Sequence, residues 1–490
     1  MQNKRIMIQG TTSDAGKSVF CAALCRIFTQ DGYDVNPFKA QNMALNSYTT
    51  YDGEEIGRAQ AMQAEACKKI PSAEMNPLLL KPTSDRRSQI ILNGHVQDTL
   101  NATEFYAQKE TYRNDILTAF RALQNKSDIV VLEGAGSPAE INLKQHDLVN
   151  MAMARASDAP VLLIADIDKG GVFASLYGTV SLLSREERAR VKGFIINKFR
   201  GDPALLQDGL RQIEELTGIP VLGVIPYMDL RLDDEDSVVD FSKFTRNPPD
   251  ADLDIVGIRL PYMANFTDIN PLLLEPHIRF RFIEPIDTLG TPHIIVLLGT
   301  KNSMEAARTW RESGMFHQIQ AAYKKGSWIF GICGGFQLLG KGLYDPDHQE
   351  GNTDFESGIG LLDVSTHFGK KKYTGMVHGI EQMFGQSVQG YELHQGYSID
   401  CKEKPFAHLN GREDGALHRD GRISATYLHS IFDNGAFTRA YVNRVRSHFH
   451  IPTYDGPLVN YHQFKDEQYD QLADIVRQHV DLPRIYQLMS

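Results

Sequence analysis

Two stretches of this chain carry residue types that can do chemistry. The first is Gly10-Thr11-Thr12-Ser13-Asp14-Ala15-Gly16-Lys17-Ser18. An apolar run precedes it and "VFCAALCRIF" follows it, so strand, loop and helix come in that order. Gly10 and Gly16 let the backbone turn tightly and aim its N–H groups inward, Thr12 lies on the turn, and the helix start adds partial positive charge. Lys17 can then reach the outer phosphates of ATP, and the Ser18 hydroxyl can bind Mg²⁺. The second stretch is Gly331-Ile332-Cys333-Gly334-Gly335-Phe336-Gln337. It is the thiol counterpart of a Gly-x-Ser-x-Gly nucleophile elbow. A helix N-terminus behind Cys333 favours the thiolate. The Gly334 N–H, just past the nucleophile, is a natural oxyanion donor, and a second can come from Gly299-Thr300 after "IIVLL".

A thiol nucleophile needs a group that takes and returns a proton. His429, in "YLHSIFDN", ends an apolar run late in the chain and fits that role. No acid follows it at the spacing that would orient the ring, because Ser430-Ile431 occupies those positions. A thiolate tolerates a missing orienting acid better than a serine would, so a Cys333–His429 pair is expected, with any third member unassigned.

The elements that must position these groups follow from the apolar runs. "RIMIQG", "DIVVLEGAG", "PVLLIADID", "VKGFIINKF" and "VLGVIPY" alternate with helical stretches and read as buried parallel strands of a doubly wound α/β sheet. An acidic, proline-bearing stretch then reads as a linker. A second α/β series begins with "LDIVGIRLP", "HIIVLLGT" and "SWIFGIC", and later segments read as shorter strands decorating that sheet. The expected division is 1–230, linker 231–251, 252–440, and a helical extension over 441–490. A length of 490 residues with 42% hydrophobic content supports two to three domains, each with a core. A net charge of −10 without a basic cluster argues against nucleic acid, and no apolar run approaches a membrane span. The N-terminus reads as a strand start rather than a signal peptide. Five scattered cysteines point to a reducing, cytoplasmic setting; Cys21 and Cys25, four apart, read as small thiols packing a helix. The sequence is silent on oligomeric state and leaves a homo-oligomer open.

The glycine-rich loop resembles a Walker A loop with one extra residue. Partition-type ATPases carry a lysine near its start; Thr11-Thr12-Ser13 holds none, so this variant resembles the dethiobiotin-synthetase group, which activates carboxylates with ATP. The resemblance implies Mg²⁺ held by Ser18 and by Glu133 of "EGAG". It implies adenine contact by Asn197, a turn-capping role being the alternative. It also implies Lys39 facing the carboxyl phosphate, and a further metal carboxylate at Glu55, with Asp52 nearly equal. Asp166, Asp168 and Lys169 face the same crevice by topology alone.

The run around Cys333 resembles class I glutamine amidotransferases, in which the cysteine attacks the glutamine side-chain amide and releases ammonia. That implies a glutamine-holding role for Gln337; His394, in "GYELHQG", is a rival to His429 and can contact glutamine or shape the pocket. Together "FKAQNMALNS", "EIGRAQAMQAEA", "LLKPTSD", "EGAGSPAEINL", "ADIDKGGVFAS", "GICGGFQLLG", "GYELHQG" and "YLHSIFDN" resemble the cobyric acid synthase family, from the N-terminus to about residue 435. The resemblance implies amidation of the b, d, e and g carboxylates of adenosylcobyrinic acid a,c-diamide, using ATP and glutamine. Its corrinoid substrate needs a wide cleft, for which "SPAEINLKQHDLVN" and "KPTSDRRSQ" are candidate walls. Arg86 and Arg87 can meet carboxylates there or form a solvated turn. Two alternatives stand beside this reading: cobyrinic acid a,c-diamide synthase, and a regulatory P-loop switch with a non-catalytic amidotransferase-like domain.

Overall fold

The computed structural model describes residues 3–84, 87–233 and 241–489. Arg86 and residues 234–240 of the expected linker lie outside these. Six strands, β1 (Lys4–Gly10), β2 (Val35–Phe38), β3 (Ile129–Glu133), β4 (Val161–Asp166), β5 (Val191–Phe199) and β6 (Val221–Pro226), form an all-parallel sheet in the order β6-β5-β4-β1-β3-β2. β3 and β4 are buried along their whole length, which is why they read as unbroken apolar runs. β1 lies between β4 and β3, and Ile8 pairs with Glu133. The loop after β1 and the carboxylate ending β3 therefore meet at the carboxyl edge of the sheet, where ligands of such folds bind.

The second sheet uses β7 (Leu253–Ile258), β8 (Ile278–Ile283), β9 (Ile294–Leu297), β10 (Trp328–Ile332) and, later, Ile423–Thr426. These run parallel in the order β8-β7-β9-β10-(423–426), with Ala416–Leu417 added antiparallel at the edge. Both parallel sheets agree with the α/β class read from the sequence. Two other features do not follow that reading. The segments expected as short decorations are long strands, β11 (Ser365–Glu381) and β12 (Ser387–Ile399), in a sheet of their own. Leu428–His429 pairs with β12, so the histidine is set by this separate sheet. Residues 41–101 supply a four-stranded sheet that the sequence reading left unassigned. Its strands mix polar and apolar residues, as in His95–Asn101, and have no strong period.

Helix α1 (Lys17–Gln30) starts at Gly16, whose φ of 95° suits glycine. It is buried on more than one face, from Phe20 through Phe28. Sheet residues such as Ile6 and Ile8 cover one side; the C-terminal helix over Tyr461–His479 covers the other with Leu472, Ala473 and Val476. Cys21, Cys25 and Cys67 are buried in this layer as thiols among apolar side chains. Polar ties fix the register: the buried Arg26 guanidinium bridges Asp470 at 2.7 Å and Asp466 at 2.8 Å, and Glu65 accepts from Lys465 and Tyr469 at 2.8 Å each. Arg26→Ala leaves two half-exposed carboxylates that water can resolvate, so the expected cost is about 1–3 kcal/mol. A lower thermal midpoint and faster proteolysis between residues 449 and 460 would report it; an unchanged melt would show the tie to be idle.

Candidate functional site

β10 ends in a sharp turn that places Cys333 at φ 52°, with its N–H donating to Thr426 O at 2.8 Å. The turn needs its glycines: a Cβ on Gly335 would lie 2.0 Å from Leu297 O, and one on Gly334 would lie 2.8 Å from the Thr300 nitrogen. The Thr300 nitrogen thus lies against Gly334, and Thr300 and Cys333 line one cavity. Gly299 brings its backbone against His429, for a Cβ there would sit 3.5 Å from the ring Cε1. Gln337 is buried in the same cavity and accepts from Ser303 Oγ at 2.6 Å.

His429 is 1% exposed, and its Nδ1 lies 2.6 Å from Asp268 Oδ2. The other Asp268 oxygen accepts from the Ser430 N–H at 2.9 Å. Burial disfavours the imidazolium, but Asp268 and then the Cys333 sulfur outweigh it and push the pKa up to about 10. Nε2, away from the acid, makes no hydrogen bond of ordinary geometry to a described residue, and the Cys333 sulfur is its neighbour. Asp268 is thus the acid beside the ring that the sequence reading left unassigned. It lies 161 residues before the histidine, in a turn after β7, and no local spacing marks it. His394 stacks on Tyr427 at 3.9 Å and bonds Gly396 O through Nδ1; burial drives its pKa down to about 4, which keeps it neutral. It shapes the cavity wall and has no acid to raise its basicity.

At the other site the loop forms a cradle. A Cβ on Gly16 would lie 2.1 Å from Asn197 Nδ2, and one on Gly10 would lie 2.7 Å from Thr12 O. Lys17 Nζ bonds Thr12 O at 2.9 Å. Ser18 Oγ donates to Glu133 Oε1 at 2.8 Å, and Lys39 Nζ meets the same oxygen at 2.9 Å. The hydroxyl and carboxylate together fit the one or two protein oxygens that Mg²⁺ takes beside nucleotide phosphates. Gln60 and Gln63 donate to Glu133 Oε2 from one face of the helix Arg58–Ala66. The sequence reading quoted their segment but missed their role. Asn197 Nδ2 caps the loop at Ala15 O, while its Oδ1 is buried without a partner. Asp166 pairs with Lys198 and Asp168 with Arg200.

Glu55 is not brought to Ser18 and Glu133. Its Oε1 accepts from Ser47 Oγ at 2.7 Å and Lys81 Nζ at 2.8 Å, and Lys372 of the second domain holds Oε2. Two ammonium groups already answer its charge, which corrects its expected metal role; the alternative, Asp52, is exposed. Between the two sites runs a buried polar seam. Asn265 N–H donates to Asn46 Oδ1 at 2.7 Å, and Asn265 Oδ1 accepts from Ser47 N at 3.2 Å. Beyond Glu55, Asn42 donates to Gln60, and Gln60 to Glu133. A cleft of about 790 Å³ opens beside this seam, with Thr83, Arg87 and Gln89 on one wall and Asn302, Arg308 and Glu350 on the other. Of the two stretches expected to wall a corrinoid cleft, "KPTSDRRSQ" lines this space beside the second domain through Thr83, Arg87 and Gln89, and none of "SPAEINLKQHDLVN" lines it.

Residues 6–236 match the CobQ/CobB/MinD/ParA nucleotide binding domain, and residues 254–437 match the CobB/CobQ-like glutamine amidotransferase domain. The cobyric acid synthase of Clostridium novyi (strain NT) is 46% identical over 498 residues, covering 100% of this chain and 98% of the relative. That of Streptococcus sanguinis (strain SK36) is 47% identical over 495 residues, covering 99% of each. Full-length identity at this level, over a chain that carries both domains, establishes that it belongs to the cobyric acid synthase family.

Proposed function

We propose that this chain is an ATP- and glutamine-dependent amide ligase that converts the b, d, e and g carboxylates of adenosylcobyrinic acid a,c-diamide to amides, giving cobyric acid. The observation that carries the reading is the presence in one chain of two built sites joined by a buried polar seam. One is a Cys333–His429–Asp268 constellation and the other a phosphate cradle closed by Ser18, Lys39 and Glu133. The named relatives supply the substrate class.

Cys333 Sγ attacks the glutamine amide carbon, and the Gly334 and Gly299–Thr300 amides receive the developing oxyanion. His429 gives its proton to the leaving nitrogen, so ammonia departs and a glutamyl thioester remains; water activated by the neutral ring then frees glutamate. Asp268 holds the imidazolium by charge and by its hydrogen bond. At the second site Lys17 and Lys39 place positive charge around the transferring phosphoryl group, which leaves ATP for a substrate carboxylate. Ser18 and Glu133 would hold Mg²⁺, which would supply positive charge to the phosphates. Ammonia then displaces phosphate from the acyl phosphate and leaves the amide. Ammonia in water is mostly protonated and non-nucleophilic, which favours transit along the sheltered seam past Asn265, Ser47 and Glu55.

Mass spectrometry of corrinoid products tests the substrate: four added amides on the a,c-diamide support the reading, and two on cobyrinic acid itself favour the related diamide synthase. Cys333→Ser should lose glutamine-dependent amidation by about 10³-fold or more yet keep amidation driven by ammonium salts; loss of both would break the division of labour. Asp268→Asn should lower glutaminase kcat about 10²-fold. Asp268 raises the imidazolium pKa, so without it the proton is lost at lower pH and the alkaline limb of the kcat profile should move down. A profile that keeps its limb would show that Asp268 does not set the ring's protonation.

A further inference from the structure

The Cys333 cavity is small, about 30 Å³, and its wall includes Lys81, Lys301, Lys372 and Glu350. Glu350, Lys372 and Gln395 also line the 790 Å³ cleft, so these residues form the threshold between the two spaces. A glutamine whose amide carbon lies at Cys333 can seat only that end in so small a cavity. Its α-carbon end must lie at the threshold.

The threshold is charged in an unbalanced way. Three ammonium groups (Lys81, Lys301, Lys372) meet two carboxylates (Glu55, Glu350). Lys81 and Lys372 are both committed to Glu55. Lys301 is 8% exposed, and its ammonium makes no hydrogen bond or ion pair with any described residue. Burial pushes its pKa down, against the opposing pull of the nearby Glu350 carboxylate, with which it makes no direct ion pair. A buried cation of this kind is costly unless a ligand completes it. Glu350 has Oε2 held by the Ser303 N–H at 2.8 Å, which presents its carboxylate at the same place. One buried cation and one carboxylate, side by side at the mouth of an amide-cleaving cavity, match the zwitterionic head of an α-amino acid.

We propose that Lys301, seconded by Lys372, receives the α-carboxylate of glutamine and that Glu350 receives its α-ammonium. This rests on the glutaminase reading of Cys333 and adds the residues that select a free amino acid over other primary amides. The 790 Å³ cleft is then the entrance for glutamine. Because Lys372 is held by Glu55 of the first domain, the arriving carboxylate draws on the same ammonium that ties the domains together.

The test measures ammonia release from three amides by the full chain: L-glutamine, its α-carboxamide, and glutaramate, which lacks the α-amine. Lys301→Met should raise KM for glutamine roughly 10–100-fold with little change in kcat, and leave kcat/KM for the α-carboxamide near wild type. Glu350→Gln should do the same for glutamine while sparing glutaramate, and Lys301→Arg should restore part of the affinity. Protection of Cys333 from alkylation by glutamine gives Kd without turnover and should shift in parallel. Equal losses on all three amides, or a glutamine Kd within twofold of wild type, would overturn the assignment. Corrinoid amidation driven by ammonium salts should survive in both variants; its absence in the wild type would count against the corrinoid reading and leave the amide-selectivity result standing.

Discussion

Glu55, held between Lys81 of its own domain and Lys372 of the other, is the contact on which the arrangement of the two sites depends. All three side chains are nearly dry, the carboxylate at 1% exposure. Taking such ions from water costs several kcal/mol each, so the cluster adds little net stability, yet removing one partner strands a buried charge at a cost of roughly 3–5 kcal/mol. Its function is therefore to specify one docking of the domains. The two sides titrate in different senses. The lysines hold the Glu55 carboxyl well below the usual range, whereas burial and the neighbouring ammonium groups bring Lys372 down to about 8 despite its partner. The depressed acid contributes stability at neutral pH that is lost as pH falls through its folded value. The lowered lysine opposes folding at neutral pH, and that opposition fades as pH rises through its unfolded value. A site with surplus positive charge is the common cause.

That surplus separates the two ends of the molecule chemically. At the sheet edge of the first domain, Glu133 gathers Ser18, Lys39, Gln60 and Gln63 around one carboxylate. At the second domain, Asp268 gathers one imidazole and one backbone N–H. Each acid holds cationic or donor groups in place around it, as the proposed chemistry at each site requires. Preorganised dipoles of this kind act strongly where water is excluded.

The sequence made legible what rests on local backbone demands. The loop over residues 10–18 and the turn at Cys333 are readable because only glycine fits at positions such as 16 and 335, whose neighbours leave no room for a Cβ. The strands themselves, though not their order in the sheet, were readable because parallel strands buried on both faces, like β3 and β4, must be apolar throughout. Asp268 was not readable, since its partner is 161 positions away and reached through an unrelated sheet. Glu55 was misassigned for a related reason: the family resemblance put a metal carboxylate near this segment, and nothing local shows that Lys372, 317 positions on, claims it. The helix over Tyr461–His479 was expected as part of a helical extension, but the surface it covers was not, and it returns to α1 at the opposite end of the chain.

One turn connects these features. Asn265, at φ 53°, exchanges hydrogen bonds with Asn46 and Ser47 of the first domain, and three residues later Asp268 grips the imidazole. A second contact reaches the same ring from its face: Tyr48 packs on Tyr391, which stacks on His429 at 5.0 Å. Residues 46–48 therefore reach the edge of the histidine through the Asn265–Asp268 turn and its face through Tyr391. Packed cores pass small shifts onward rather than absorbing them. A displacement of that strand by a ligand in the first domain would thus alter the orientation of the proton donor in the second. By linkage, any effect of nucleotide-site occupancy on glutamine affinity must be matched by an equal effect of glutamine on that site. The geometry confines the coupling to a few named side chains, so it can be measured one residue at a time.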